Sequence, residues 1–497
     1  MKKPLAREAS GENVTAVAVS APRSGEKQLH LSDRTTRERV VSSVGFASQQ
    51  FENARKETVD AARLDAARSL RDRGLTALVL DVFPDTARVE ESVLSLGGVA
   101  ADELAERFGT PLVVYCETTI RKRARRLRAA VPGGHVAFGT KAFPNVAVLR
   151  LLREEGIGAD VASVGELAFA RAAGFSGAEL VVHGNNKEAA FLTEAGHEGA
   201  TVVLDAPDEA SLAAEARVAR VLVRVTLGID ADTHEAIRTG HHGSKFGLPP
   251  ARARQLVAEA LELGLDVRGV HVHVGSQLAD FDAQAATIVR LASFCASCRD
   301  ALGWTPAVAD LGGGFGIRHH PGEDVADAAE LAASAARTAA TAFAEAGLPQ
   351  PELWLEPGRS LVGTAGVTLY RVGAVKRLPE RTWVAIDGGM SDNPRPQLYD
   401  ARYTALSALR TDEGTDEVVS VAGMHCESGD VLIDDVALPS PRRGDLLAVP
   451  ATGAYTLAMA SNYNGVTRPA AVLVRDGEAR LIRRRETVDD LLRSETG

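Results

Sequence analysis

The sequence predicts an α/β protein: a TIM-type (β/α)8 barrel followed by a C-terminal antiparallel β-barrel or sandwich domain. Two observations carry this expectation. From about Gly134 to Ser360 one unit recurs eight times: a short apolar run, a polar or glycine-rich turn, then in most cases a helical segment. Eight such units in a span of this length are the mark of a barrel. After about residue 365 the pattern changes to short, often alternating apolar runs alone, as in an antiparallel β-domain.

Taken in order, residues 1–90 read as an N-terminal extension. As far as about residue 50 they are polar without clear periodicity, and Glu52 to Arg73 is charged and helix-favouring. A disordered tail with one helix is the expectation. The runner-up, an organelle transit peptide, is opposed by Glu8, Glu12, Glu26, Asp33 and Glu38, because such peptides are poor in acids. Residues 91–116 form a leading segment in which Leu112–Tyr115 adds a strand to the β-domain.

The eight barrel strands, in residues 117–365, are predicted at His135–Gly139, Ala159–Ala162, Leu180–Val182, Thr201–Leu204, Val221–Val225, Val267–Val274, Ala307–Leu311 and Glu352–Leu355. A doubly wound open sheet is the alternative, and the count of eight favours the barrel. Residues 366–497 make the β-domain. Its strands are predicted at Val367–Val375, Thr382–Ile386, Val418–Val421, Val431–Leu438, Leu446–Val449, Ala471–Val474 and Ala479–Arg483.

Composition narrows the function. A net charge of -10 argues against a nucleic-acid or membrane-surface partner. No apolar run reaches the ~18 residues that span a bilayer, and the N-terminus has no apolar core of a secretory signal. Four cysteines in 497 residues suit a reducing cytoplasm. Cys295 and Cys298 stand three apart in an Ala/Leu-rich helical stretch and read as buried helix residues, with no second pair near them in sequence to complete a metal site.

The chemistry gathers at the predicted strand ends, where a barrel keeps its active site. Lys141 closes strand one, and Ser163 and Glu166 follow strand two. His183-Gly184-Asn185-Asn186-Lys187 ends strand three, and His271 and His273 lie on strand six. Gly312-Gly313-Gly314 follows strand seven, and Glu356-Pro357-Gly358-Arg359 follows strand eight. Taken singly, each has a plain structural reading: a surface lysine, satisfied core histidines, a turn of glycines. Taken together, at successive strand ends, they point to chemistry. A lysine at an apolar barrel mouth is costly as a cation, and an imine to pyridoxal phosphate would neutralise it. The glycines let backbone N–H groups approach a phosphate, with Arg359 and Ser276 beside them. Glu356 suits a pyridinium nitrogen, and His273 can stack on the ring. His271 and His273 also share one strand face, but the sequence offers no matching carboxylate-rich cluster, so no metal is expected.

These motifs resemble a known family. Residues from about Ser92 to Thr496 are similar to the diaminopimelate decarboxylases, within the wider group of barrel-type (fold type III) ornithine and arginine decarboxylases. The likeness rests on Gly139-Thr140-Lys141-Ala142, His183-Gly184-Asn185-Asn186-Lys187, His273-Val274-Gly275-Ser276-Gln277, Asp310-Leu311-Gly312-Gly313-Gly314, Glu356-Pro357-Gly358-Arg359, Cys426-Glu427-Ser428-Gly429-Asp430 and Gly453-Ala454-Tyr455. Ser461-Asn462-Tyr463-Asn464 and Arg484-Arg485-Glu486-Thr487 look most like the actinobacterial branch. The resemblance implies pyridoxal 5'-phosphate as cofactor and Lys141 as its Schiff-base lysine, with Asp160 close by and His273 stacked on the ring. It implies cofactor contacts from Ser276, Gly313, Gly314, Glu356, Pro357, Gly358, Arg359 and Tyr455. Arg359, Arg395, Tyr399, Glu427 and Tyr455 would bind substrate. Cys426 would be the catalytic acid, delivered from the neighbouring subunit of a homodimer with shared sites.

Arg395 and Tyr399, in Ser391-Asp392-Asn393-Pro394-Arg395-Pro396-Gln397-Leu398-Tyr399, separate this reading from its relatives. Diaminopimelate carries a second amino-acid head. Its distal carboxylate calls for an arginine and its distal ammonium for a carboxylate, which Arg395 and Glu427 supply. Ornithine has no distal carboxylate. The alternatives are a decarboxylase of a related basic or diamino acid and a non-catalytic regulatory homologue, and retention of Lys141, Glu356 and Cys426 argues against the second.

Overall fold

The structure is a computed structural model describing residues 79–228, 244–278 and 281–496. The predicted disordered tail and the helix over Glu52 to Arg73 lie outside the described residues. The rest of the predicted extension is packed. Val82, Phe83 and Ala87 are buried in one cluster with Val114, Val367 and Val472. A short apolar run ahead of a proline carries too little periodicity to announce this. Strands β1 (Arg88–Glu90), β2 (Val93–Leu96) and β3 (Val99–Ala100) then form a small antiparallel sheet.

After β4 (Leu112–Cys116) the chain builds eight parallel strands. They are β5 (His135–Gly139), β6 (Gly158–Val161), β7 (Leu180–Val182), β8 (Thr201–Leu204), β9 (Arg220–Arg224), β10 (Asp266–His271), β11 (Val308–Asp310) and β12 (Glu352–Leu355). They close into a barrel in chain order, with β12 pairing β5. Seven are followed by helices of barrel length; β12 is followed only by the short helix Arg359–Val362. The missing place is taken by the helix Glu117–Ala130 that precedes β5, packed between helices Val146–Glu154 and Ala328–Glu345. Close packing is strict at Gly269 on β10, where a Cβ would stand 1.9 Å from the Val308 carbonyl oxygen.

The barrel interior has a plug and a polar layer above it. Ala137, Val181, Val203, Leu222, Val308 and Trp354 form a cluster separate from the barrel–helix core. Strand side chains repeat every second residue, so the residues two further on face the same interior, nearer the C-terminal mouth. Those residues are Gly139, His183, Asp205, Arg224, Asp310 and Glu356. Strand six is shorter than predicted, ending at His271 rather than Val274. Its neighbour β9 ends at Arg224, so the chain beyond has no regular ladder on that side.

Beyond the barrel lie β13 (Gly366–Arg377), β14 (Thr382–Ile386), β15 (Leu406–Ser407), β16 (Glu417–Ala422), β17 (Val431–Leu438), β18 (Leu446–Pro450), β19 (Ala470–Arg475) and β20 (Glu478–Arg483). With β4 they make one nine-stranded sheet whose main path runs β17-β16-β14-β13-β4-β19-β20. The domain is mostly antiparallel, as predicted, with two parallel ladders within it, β14 with β16 and β19 with β4. The first follows from a long crossover, which parallel neighbours require, and residues 387–416 supply it. The second arises because β4 enters the sheet before the barrel is made. Among the described residues no helix is long and apolar enough to cross a membrane.

Candidate active site

A cavity of about 320 Å3 opens at the C-terminal mouth of the barrel. Around it the fold gathers Lys141, Asp160, His273, Ser276, Gly313, Glu356, Arg359, Arg395, Tyr399 and Tyr455. Ten of the sequence-predicted residues thus share one wall-to-wall site, although Lys141 and Tyr455 lie over three hundred residues apart.

Lys141 sits in the one-turn helix Thr140–Ala142 that caps β5 and reaches into the cavity. Its pKa is raised, by Tyr455 first and then by Asp160 and Glu356, against the opposing effect of burial. Lys141 is exposed to the cavity and its charged form is favoured, so the expected cost of a cation at this position is not met. Asp160, on β6, is pushed up to about 7 by burial, with His183 pulling the other way.

Glu356 stands two residues beyond inward-facing Trp354. Its Oε1 lies 2.5 Å from His183 Nε2 and its Oε2 3.2 Å from His271 Nε2. Burial alone would raise its pKa, but the two histidines outweigh burial and hold it well below the usual carboxylate range. His183 is raised despite its burial, by Glu356 and Asp160. Burial drives His271 down to about 4 and drives Asp310 well above its ordinary value. These directions favour the charged forms of Glu356 and His183 and the neutral forms of His271 and Asp310. His183, His271, Asp310 and Glu356 bring their ligand atoms within 4.8 Å of one another. The sequence reading, which found no carboxylate cluster near the histidines, is corrected here. Strands seven and eight deliver the carboxylates, and no local spacing announces that.

On the opposite side the glycines lie close to backbone. A Cβ on Gly313 would stand 2.2 Å from the Glu356 carbonyl oxygen, and one on Gly314, at φ +95°, 2.3 Å from that of Gly275. Gly313 N–H donates to His273 Nδ1 at 3.2 Å. Pro357 carries the turn back to the first strand, its carbonyl accepting from Gly139 N–H at 3.2 Å. A Cβ on Gly358 would lie 3.2 Å from the Tyr455 hydroxyl. Arg359 is buried, donates to Ser276 Oγ at 3.2 Å and lies with its guanidinium 4.7 Å from the Tyr455 ring centroid. Among the described residues, its Nε and Nη1 find no hydrogen-bond partner. Burial, with Arg395 adding to it, lowers its pKa to about 10. Buried guanidinium donors without acceptors are costly, and an anionic group would satisfy them.

Arg395 opens the short helix Arg395–Tyr399 in the β14–β16 crossover. It is buried, it lines the same cavity, and its guanidinium lies 5.7 Å from the Tyr399 ring centroid. Cys426 and Glu427 are placed elsewhere and do not line their own chain's cavity. They sit in the loop after β16, where Asp430 accepts from the N–H groups of Met390 at 2.7 Å and His425 at 3.0 Å. Cys426 is exposed, and its N–H donates to Asn464 Oδ1 at 3.1 Å.

Several residues escaped the sequence reading of roles. His183 and Asp310 stand in motifs of the sequence without a role of their own, and Arg224 stands in none. Arg224 is buried against Asp205 at 3.3 Å and over the Phe246 ring at 4.7 Å. The signal that finds all three is parity, each standing two residues beyond an apolar residue of the interior plug. Lys187 and Ser163 have structural parts. Lys187 forms a buried ion pair with Glu209 at 2.9 Å, and Ser163 caps the helix Val164–Ala173.

Residues 117–363 match the family described as pyridoxal-dependent decarboxylase, pyridoxal binding domain. The diaminopimelate decarboxylase of Actinosynnema pretiosum is 47% identical, over 85% of this chain and 97% of its own. That of Bacillus subtilis is 42% identical over 80% and 94%. Among solved structures, the diaminopimelate decarboxylase of M. jannaschii matches with a TM-score of 0.78 and 34% identity over 83% of this chain and 98% of its own. The Helicobacter pylori enzyme complexed with L-lysine matches at 0.73 and 29% over 79% and 98%. The residues at the barrel mouth fit a pyridoxal phosphate: an amine at Lys141, a buried anion at Glu356, and a cradle of close backbone with partnerless Arg359 donors. On this identity and coverage, the chain belongs to the diaminopimelate decarboxylases, within the pyridoxal-dependent decarboxylases.

Proposed function

We propose that this chain converts meso-2,6-diaminopimelate to L-lysine and carbon dioxide, the last step of lysine formation. The observation that carries the reading is the pair of buried arginines, Arg359 and Arg395, facing the cavity that holds Lys141 and Glu356. A substrate with a carboxylate at each end suits two such cations, whereas ornithine or arginine would leave Arg395 without an anion.

When bound, pyridoxal 5'-phosphate supplies the electron sink for the pair released as the carbon–carboxylate bond breaks. Lys141 provides the amine that anchors it. Glu356, its pKa lowered by His183 and His271, would hold a proton on the pyridine nitrogen. Ser276, Gly313, Gly314, Pro357, Gly358, Arg359 and Tyr455 would hold it, with Asp160 near Lys141 and His273 available to pack on it. Arg359 and Tyr455 also face the substrate, and Arg395 with Tyr399 takes its distal carboxylate. Glu427 takes the distal ammonium and Cys426 returns a proton to the carbon.

Because Cys426 and Glu427 do not line their own chain's cavity, we assign them to the site of a partner subunit in a homodimer. We further assign residues 117–365 to the cofactor-binding barrel. Residues 91–116 and 366–497 go to the β-domain, and the extension before them carries no catalytic residue. Four free cysteines support a reducing, cytoplasmic setting.

The test is a substrate panel. Purified protein with added pyridoxal phosphate is assayed for carbon dioxide and amine products on diaminopimelate, lysine, ornithine and arginine. Diaminopimelate should be strongly preferred, with lysine as product, and Lys141→Ala should lose nearly all turnover and the visible absorbance of bound cofactor. Preference for ornithine or arginine, or wild-type turnover in Lys141→Ala, would overturn the assignment.

A further inference from the structure

Arg395 is held from behind by two side chains outside the cavity lining. Its Nε donates to the Tyr403 hydroxyl at 2.9 Å, and its Nη2 faces His319 Nε2 at 3.5 Å. All three residues are buried, and the His319 and Tyr403 rings meet edge to face, with centroids 5.6 Å apart. Among the described residues, Arg395 Nη1 makes no hydrogen bond. We infer that His319 and Tyr403 are positioning residues that aim the free edge of Arg395 at the substrate's distal carboxylate and so help set the preference for a substrate carrying one. This rests on the reading of Arg395 given above.

The chemistry of the pair supports the role. An arginine has donors only, so Nε and Nη2 can be fixed only by acceptors. A carboxylate behind Arg395 would fix it too, but would neutralise the charge the substrate must meet. A phenol oxygen and a neutral imidazole fix the orientation and leave the charge intact. For His319 to accept at Nε2 its proton must sit on Nδ1. Burial first, and then the nearby charges of Arg395 and Arg359, disfavour a protonated ring here. The backbone is fixed as well: His319 N–H donates to Glu323 Oε2 at 2.7 Å, and the Gln277 amide donates to the Ile317 carbonyl at 2.5 Å.

The test compares H319F, H319Q, Y403F and R395Q as holoenzymes. KM and kcat on diaminopimelate are measured, along with the ratio of diaminopimelate to lysine decarboxylation and the cofactor's visible absorbance. H319F keeps the ring but loses the acceptor. Its KM should rise about tenfold, the worth of one hydrogen bond to a charged group. Its kcat should stay within about twofold, and its cofactor absorbance should not change. Y403F should behave alike, H319Q should recover most of the loss because its amide oxygen accepts from Nη2, and preference over lysine should fall in step. If H319F fails to fold, Y403F against H319Q gives the answer. A raised KM in R395Q with unchanged KM in H319F and Y403F would reduce the pair to passive packing. A fall in kcat at constant KM would move their role to the chemical step and overturn the inference. An unchanged KM in R395Q would instead remove the assignment of Arg395 on which the inference stands.

Discussion

Both oxygens of Glu356 are engaged, one by His183 at 2.5 Å and one by His271 at 3.2 Å. A carboxyl buried as deeply as this would ordinarily keep its proton, and burial pushes Asp310 beside it in that direction. The difference lies in the histidines. His183, itself raised by Glu356, shares an ion pair with it, while His271 stays neutral and donates. The sequence showed Glu356 at a strand end, which was enough to suggest its role, but it could not show what keeps the group ionised. His183, Arg224 and Asp310 come from three separate strands, and only the parity of each strand within a closed barrel brings them to one layer. Two variants separate charge from shape. Glu356→Gln should still bind cofactor, while kcat falls about 100-fold or more, the scale of a lost proton-holding group. His183→Gln removes the cation that depresses Glu356, so the pKa of Glu356 should rise. Activity should then be lost at a higher pH on the acidic side than in the wild type. A kcat–pH profile of each checks this, and an acidic limb that does not move in His183→Gln would mean that His271 alone suffices.

At the scale of elements, the barrel strands were legible because each is an apolar run bounded by a turn and followed by a helix. The β-domain strands were legible by alternation. Parallel pairing was not, because it depends on which strands the connections bring together, and the β14–β16 crossover and early β4 settle that non-locally. The start of the fold was also missed. The side chains of Val82, Phe83 and Ala87 join the cluster that β4, β13 and β19 bury, and Leu94 N–H donates to the Ala408 carbonyl at 2.8 Å. Removing residues 1–75 should therefore leave melting temperature and turnover close to wild type. Removing residues 1–90 exposes the cluster and should cost about 3–6 kcal/mol, from roughly two large apolar side chains at the usual burial value. Thermal melts of the two truncations decide this. Equal stability would mean that the segment lies on the core without contributing to it.

For the whole molecule, the question is where Cys426 acts. The chain spacing of Lys141 and Cys426 says nothing, and only the family resemblance placed the thiol on a partner. The geometry gives that placement a physical basis. The cavity of one chain is walled by the barrel, Arg395, Tyr399 and Tyr455, and Cys426 is absent from its lining and exposed. Around the same loop, Met424, Tyr463 and Leu398 also expose apolar surface. A site open to water would let the carbanion be protonated at random, so a cover bearing the acid is chemically useful. If a second subunit supplies it, two inactive variants should complement. Mixing Lys141→Ala with Cys426→Ala gives hybrid dimers in which one site carries both lesions and the other carries neither. With free exchange about half the dimers are hybrid, each with one intact site of two, so activity should recover to about a quarter of wild type. Subunit exchange is followed separately by differently tagged chains. Exchange without recovery would return Cys426 to its own chain's site, and would then require its loop to move onto the barrel mouth during turnover.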